Sequence, residues 1–119
     1  MPERILVVDD EAIIALDIET LLADAGHTVI GIERDVAAAV ERLKRGDVTL
    51  AILDAELNGE SAEPVALALR ALSVPFCVVS GYDASQLTWL GGDAHLQKPF
   101  EESVLLDMVR SLRPPHSHD

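Results

Sequence analysis

The stretch Leu50-Ala51-Ile52-Leu53-Asp54 decides the fold, because four apolar residues are followed directly by a carboxylate. A run this short and this apolar is typical of a strand buried on both faces, as in a parallel sheet covered by helices on each side. Asp54 then stands at the carboxyl end of the strand, the edge where open α/β sheets bind their ligands. The functional residues are therefore expected at this edge.

Two further stretches have the same design. Residues 5–8 are apolar and precede Asp9 and Asp10, and residues 77–79 precede Ser80. Because the carboxyl ends of parallel strands meet at one edge of a sheet, we expect three carboxylates and one hydroxyl to lie together there.

The rest of the chain alternates helical and strand patterns. Its periodicity predicts a flavodoxin-like, doubly wound α/β fold with a five-stranded parallel sheet in the order 2-1-3-4-5 and five helices. We expect a single domain over residues 1–113 and a disordered tail over residues 114–119. The predicted strands cover residues 4–10, 28–31, 50–54, 76–80 and 94–97, and the predicted helices cover residues 11–25, 36–45, a stretch after Ser61, 83–90 and 101–112.

Local signals mark several helix and turn boundaries. Asp35 and Ser61 are predicted helix N-caps, and Asp83 with Gln86 has the spacing of a capping box. Asn58-Gly59 predicts a turn within a polar loop over residues 56–60. The side chains predicted to face the core from the helices are Ile14, Ile18, Leu21, Leu22, Ala25, Val36, Ala39, Val40, Leu43, Leu67, Ala68, Ala71, Val104, Leu105, Met108 and Val109.

Composition restricts the possible partners. The 119 residues carry a formal net charge of −12, which argues against a nucleic-acid partner bound through a basic face. The single cysteine, Cys77, lies in a predicted buried strand, so neither a disulfide framework nor a reactive thiol is expected. No signal peptide or membrane span is predicted, and we expect a cytoplasmic protein with no membrane partner.

Asp9, Asp10 and Asp54 form a candidate cation site. Three carboxylates crowded at one sheet edge repel each other unless a cation lies between them, and oxygen ligands of this kind suit Mg²⁺. The alternative for Asp9 and Asp10 is that they are ordinary solvated loop residues. Considered together with Asp54, they favour a magnesium site.

Lys98 and Ser80 add groups that recognise a phosphoryl oxygen. Lys98 supplies a positive charge at the end of the last predicted strand, and Ser80 supplies a hydroxyl donor. With Asp54 as nucleophile and a metal on one oxygen, these groups form a phosphoryl-transfer site that works by positioning and charge neutralisation.

Four motifs, in order and at these spacings, resemble the receiver domain of bacterial two-component response regulators: Val8-Asp9-Asp10-Glu11, Leu53-Asp54, Ser80-Gly81 and Lys98-Pro99-Phe100. The match covers essentially the whole chain, as in a receiver that stands alone. The resemblance implies that Asp54 is the phosphoacceptor and that Ser80 and Lys98 sense the phosphoryl group. It also implies Mg²⁺ ligation by Asp10 directly, by Asp9 largely through water, and by the backbone carbonyl of Glu56.

The stretch Pro75-Phe76-Cys77-Val78-Val79-Ser80-Gly81-Tyr82 is similar to the Phe-Ala-Thr-Gly-Tyr motif of the "FAT GUY" receivers. Members of that subfamily are associated with stress-response phosphorelays. The resemblance therefore implies a sensor histidine kinase, of the HWE or a related class, or a phosphotransfer protein as phosphoryl donor. The downstream protein partner is not specified by the sequence.

Two features depart from the family pattern. In most receivers an aromatic residue stands three positions before the lysine and swings inward on phosphorylation, whereas this chain has His95. The helix predicted after Asp83 is also short, since Gly91-Gly92 follows it. We expect His95 to remain near the surface, and the loop at residues 81–83 with the short helix after it to carry the change. The resemblance further implies a cis peptide bond between Lys98 and Pro99.

Two other classes of function are less consistent with these residues. A phosphorylation-independent interaction module could keep this fold, but it has no need of the full set of acidic residues, hydroxyl and lysine. An enzyme, either a flavodoxin-like cofactor binder or a small phosphatase, would require a Gly-rich phosphate loop, a nucleophile elbow or an Asp-x-Asp pair, and none follows a strand here.

Overall fold

A computed structural model describes residues 3–91 and 93–112. These residues form seven strands, four α-helices and one 3₁₀ turn. The strands are β1 (Arg4–Val8), β2 (Thr28–Glu33), β3 (Leu50–Asp54), β4 (Glu56–Leu57), β5 (Glu60–Ser61), β6 (Phe76–Ser80) and β7 (Ala94–Gln97). The helices are α1 (Ala12–Asp24), α2 (Val36–Leu43), α3 (Glu63–Ala71) and α4 (Glu102–Leu112), and the 3₁₀ turn is Ala84–Gln86.

Five strands form one parallel sheet in the order β2-β1-β3-β6-β7. This is the predicted flavodoxin-like order, with β6 and β7 as the fourth and fifth strands of the sheet. Every residue of β3 and of β6 is buried, as expected for central strands covered on both faces.

The sheet separates two hydrophobic clusters, because successive strand residues point to opposite faces. Leu53 and Val78 pack on one face with α2 and α3, and Ile52 and Cys77 pack on the other with α1 and α4. Burial raises the pKa of the Cys77 thiol to about 12, so this cysteine stays protonated and unreactive. Within the described residues, no helix combines the length and apolarity needed to span a bilayer.

The prediction of five helices was wrong in one place. The capping box of Asp83 and Gln86 is present, but only a 3₁₀ turn follows it. Gly91 adopts a positive φ of 61°, and Arg70 of α3 hydrogen-bonds the carbonyls of Trp89 and Leu90. These contacts hold the chain in a non-helical path between β6 and β7.

The predicted inward faces of three helices also need correction. Leu67 and Ala71 are exposed on α3, where Val65, Ala66 and Leu69 are buried instead. Nearly every position of α3 is apolar, so composition alone does not fix which face turns inward. Ala25 and Val104 are likewise exposed, whereas Leu105 and Val109 anchor α4 as predicted.

The segment after β3 is more regular than the predicted polar loop. β4 and β5 pair as an antiparallel hairpin whose two-residue turn is Asn58-Gly59. Both turn residues have positive φ, 54° and 82°, as tight hairpin turns require. Ser61 lies in β5 and accepts a hydrogen bond from the Glu63 amide, but the N-cap position of α3 belongs to Ala62. Asp35 caps α2 as predicted, through Ala38 N–H.

Candidate functional site

The structure brings the predicted site residues together at the carboxyl edge of the sheet. Asp9 and Asp10 follow β1, Asp54 ends β3, Ser80 ends β6, and Lys98 follows β7. Apart from Asp9, which is buried, these residues line one open pocket of about 320 Å³, whose full lining is Asp10, Glu11, Asp54, Ala55, Glu56, Gly59, Ser80, Gly81, Tyr82 and Lys98.

Asp54 is oriented from two sides. Its Oδ1 accepts a hydrogen bond from the Glu56 amide at 3.1 Å, and its Oδ2 accepts one from Lys98 Nζ at 3.1 Å. The Lys98–Pro99 peptide bond is cis, as predicted. The carboxylate therefore sits on the pocket wall with a positive charge directly beside it.

Lys98 also approaches Asp9, with Nζ 3.6 Å from Oδ2. Burial alone would lower the pKa of Lys98, but the Asp54 and Asp9 carboxylates outweigh that effect and raise the pKa. Lys98 is thus a fixed cation throughout the neutral pH range.

Asp9 is the most deeply buried acid of the site, with 1% of its surface exposed. Its Oδ1 accepts a hydrogen bond from the Glu11 amide, but its buried Oδ2 has no hydrogen-bond partner among the described residues. Burial raises the pKa of Asp9 to about 6, against the opposing effects of the Glu11 amide and Lys98. Because Lys98 Nζ, 3.6 Å away, lies beyond hydrogen-bond distance, this buried oxygen keeps an unused lone pair that a directly bound cation would satisfy.

The unpartnered Asp9 Oδ2 and the acidic residues around it fit a divalent cation. Asp9, Asp10, Glu11 and Asp54 each offer a ligand atom, and these atoms all lie within 4.8 Å of one another. Glu11 was not among the predicted ligands, although it directly follows the Asp9-Asp10 pair. Receiver domains typically bind Mg²⁺ at such an acidic cluster, and oxygen ligands suit this ion.

Sequence reasoning missed a network around Asp10. The Asp10 carboxylate accepts a hydrogen bond from the Asn58 amide at 2.9 Å, and its carbonyl accepts one from Arg34 at 3.2 Å. The Asn58 side chain in turn donates to the Arg34 carbonyl. The hairpin and the loop after β2 thus support the β1 end of the site, through contacts between residues far apart in sequence.

His95 differs from expectation too. It is half-buried rather than at the surface, and its Nε2 lies 2.9 Å from Ser80 Oγ. The register of β6 and β7 explains the contact: Val78 pairs with His95 and Ser80 with Gln97, so Ser80 and His95 are diagonal neighbours. Without the register, no local sequence signal could have indicated this contact.

The fold and site define a class of protein. A five-stranded parallel sheet with an acidic cluster, a hydroxyl and a lysine at its carboxyl edge is the architecture of a receiver, and the response regulator receiver domain family matches residues 5–110. The chain belongs to this family. Receiver domains are signalling phosphoacceptor domains rather than conventional enzymes.

Particular relatives support this assignment. The chain is 32% identical to SdrG from Sphingomonas melonis Fr1, with a TM-score of 0.79 over 93% of this chain and 96% of that one. A response regulator receiver protein from Sinorhizobium medicae WSM419 is 32% identical, with a TM-score of 0.83 over 93% and 94% of the two chains. The phyllosphere-induced regulator PhyR of Methylorubrum extorquens is 32% identical over 91 residues, which are 74% of this chain and 34% of PhyR. The chain spans about half the length of most curated relatives that it matches.

Proposed function

We propose that this chain is a response regulator that accepts a phosphoryl group on Asp54 and signals by protein–protein interaction. The observation that supports this most directly is the Asp54 carboxylate at the pocket wall, with Lys98 Nζ 3.1 Å away and the acidic cluster beside it. The phosphoryl donor is a sensor histidine kinase or a phosphotransfer protein, and the "FAT GUY" resemblance favours a kinase of the HWE class. The protein acts in the cytoplasm, where such donors present their phosphohistidine.

In the transfer step, an Asp54 carboxylate oxygen attacks phosphorus while the bond from phosphorus to the donor's histidine nitrogen breaks. The products are an acyl phosphate on Asp54 and a free histidine on the donor. Lys98 compensates the negative charge of the phosphoryl oxygens, and the Ser80 hydroxyl donates a hydrogen bond to one of them. Asp9, Asp10 and Asp54, with the Glu56 carbonyl, would hold Mg²⁺, which neutralises further phosphoryl charge when bound.

Incubation with acetyl phosphate and Mg²⁺ tests the proposal. We expect intact-mass spectrometry to show the addition of one phosphoryl group, and Asp54→Asn to abolish it because an amide is not a nucleophile. Asp17→Asn, an exposed change on α1, is the matched control and should be labelled like the wild type.

Undiminished labelling of Asp54→Asn would assign the phosphoacceptor to another residue. A wild-type protein that is never labelled, by acetyl phosphate or by a histidine kinase, would favour the phosphorylation-independent interaction module instead.

A further inference from the structure

The Ser80 hydroxyl makes three polar contacts within the described structure, two with the Tyr82 backbone and one with the His95 ring. Its oxygen lies 3.0 Å from the Tyr82 carbonyl oxygen, 3.1 Å from the Tyr82 amide nitrogen and 2.9 Å from His95 Nε2. Ser80 is almost fully buried, with 2% of its surface exposed. Its hydrogen bonds are therefore not shared with bulk water.

Counting protons gives the direction of each bond. A serine hydroxyl has one proton to donate and two lone pairs to accept with. All three contacts are satisfied only if Ser80 donates to the Tyr82 carbonyl and accepts from both the Tyr82 amide and a protonated His95 Nε2. If Ser80 donated to His95 instead, its oxygen would face the Tyr82 carbonyl oxygen at 3.0 Å with no proton between them. The geometry favours His95 as the donor.

We propose that His95 is a positioning residue that holds the Ser80 oxygen through Nε2–H, while the Ser80 proton changes partner on phosphorylation. This inference rests on the proposed function, in which Ser80 donates to a phosphoryl oxygen on Asp54. Since Ser80 has a single proton, that donation removes the hydrogen bond to the Tyr82 carbonyl. The bond from His95 needs only a Ser80 lone pair and is therefore kept.

The consequence for the fold is local. The Tyr82 carbonyl, once released, lies in an exposed stretch, residues 81–86, that contains the 3₁₀ turn. Beyond it, Arg70 hydrogen-bonds the Trp89 and Leu90 carbonyls and pairs with Asp93, which fixes the far end of the segment. The conformational change is therefore confined to residues 81–86, and His95 stays in place.

Heteronuclear NMR of the imidazole nitrogens tests the bond directions. At about pH 8, where an ordinary histidine is neutral, we expect the His95 Nε2 shift to be that of a protonated ring nitrogen. The same should hold after Mg²⁺ and beryllofluoride, a phosphoryl mimic, are added. Amide exchange should then become faster in residues 83–86 and remain unchanged in β7 and at the Tyr82 amide, which still donates to Ser80. An unprotonated Nε2 in the resting protein would overturn the proposal, and so would loss of the His95 bond or faster exchange in β7 with beryllofluoride.

Two substitutions separate a positioning role from a packing role. His95→Gln keeps an N–H donor near the position of Nε2, whereas His95→Phe removes it and keeps a ring. We expect His95→Phe to weaken beryllofluoride binding about fivefold, the equivalent of one hydrogen bond, and His95→Gln to bind like the wild type. Thermal melts check that both variants fold. Equal binding by all three proteins, or equal weakening in both variants, would contradict the role given to Nε2–H.

The outcomes distinguish this inference from the proposed function. If acetyl phosphate never labels Asp54, the proposed function fails, and the switch of the Ser80 proton fails with it. If Asp54 is labelled but Nε2 is unprotonated in the resting state, only the role of His95 is wrong.

Discussion

At the scale of single residues, Asp9 is the side chain that the unliganded fold accommodates least well. Its carboxylate is buried, its Oδ2 lacks a hydrogen-bond partner within the described residues, and burial raises its pKa to about 6. We expect Asp9→Asn to increase the free energy of unfolding in EDTA by about 1 kcal/mol, because it removes a poorly solvated charge. Urea denaturation at neutral pH measures this. The matched Asp10→Asn change should give no such gain, since Asp10 is half-exposed and already accepts a hydrogen bond from Asn58.

The gain in unfolding free energy expected for Asp9→Asn should also depend on pH. A carboxyl group whose pKa is higher in the folded protein than in the unfolded chain is protonated in both states at low pH, and then costs no stability. As pH rises from the ordinary value of 3.8 through about 6, the unfolded chain loses its proton more readily than the folded protein does. The loss of unfolding free energy caused by the ionised Asp9 carboxylate should therefore develop across this pH window and be complete above it. A constant difference between wild type and Asp9→Asn over this range would contradict the pKa shift.

At the scale of elements, the Arg70 side chain holds the segment between β6 and β7, where a helix was predicted. It hydrogen-bonds the Trp89 and Leu90 carbonyls, pairs with Asp93 and lies 5.9 Å from the centre of the Phe76 ring. We expect Arg70→Ala to lower the free energy of unfolding by about 1–2 kcal/mol. Amide exchange should also become faster at Trp89 and Leu90. Arg110→Ala removes an exposed pair with Asp107 on α4 and should change neither quantity. Equal effects of the two substitutions would show that Arg70 contributes only an ordinary surface charge.

The elements also show how far the sequence could predict this molecule. The sheet and its order were predictable, since the β3 and β6 sequences are apolar at all but their last positions and end in polar groups. The site followed from the same rule, because parallel strands bring their carboxyl ends to one edge. The β4–β5 hairpin and the path between β6 and β7 were not predictable, because two-residue strands have no periodicity and Arg70 acts from another element. The His95–Ser80 and Asn58–Asp10 contacts depend on strand register and loop packing, which local patterns do not encode.

At the scale of the whole molecule, a net charge of −12 acts on a fold that concentrates four acidic residues at one edge. General repulsion among surface charges is screened by any salt, so NaCl added in EDTA should raise the melting temperature modestly. A specific site instead stabilises the fold by mass action, by about 2.7 kcal/mol when the ligand is at a hundred times its dissociation constant. We therefore expect Mg²⁺ to raise the melting temperature well beyond NaCl at the same ionic strength.

Substitution at the site separates these two effects of salt. Asp10→Asn removes a charged oxygen ligand, so it should lose most of the additional stabilisation by Mg²⁺ and keep the response to NaCl. Asp17→Asn removes the same charge from an exposed position on α1 and should keep both responses. Differential scanning calorimetry of the three proteins in matched salts gives the comparison. If Mg²⁺ and NaCl stabilise the wild type equally at one ionic strength, the acidic cluster binds no divalent cation specifically. If Asp17→Asn loses as much of the stabilisation by Mg²⁺ as Asp10→Asn does, that stabilisation depends on total charge rather than on the geometry of the cluster.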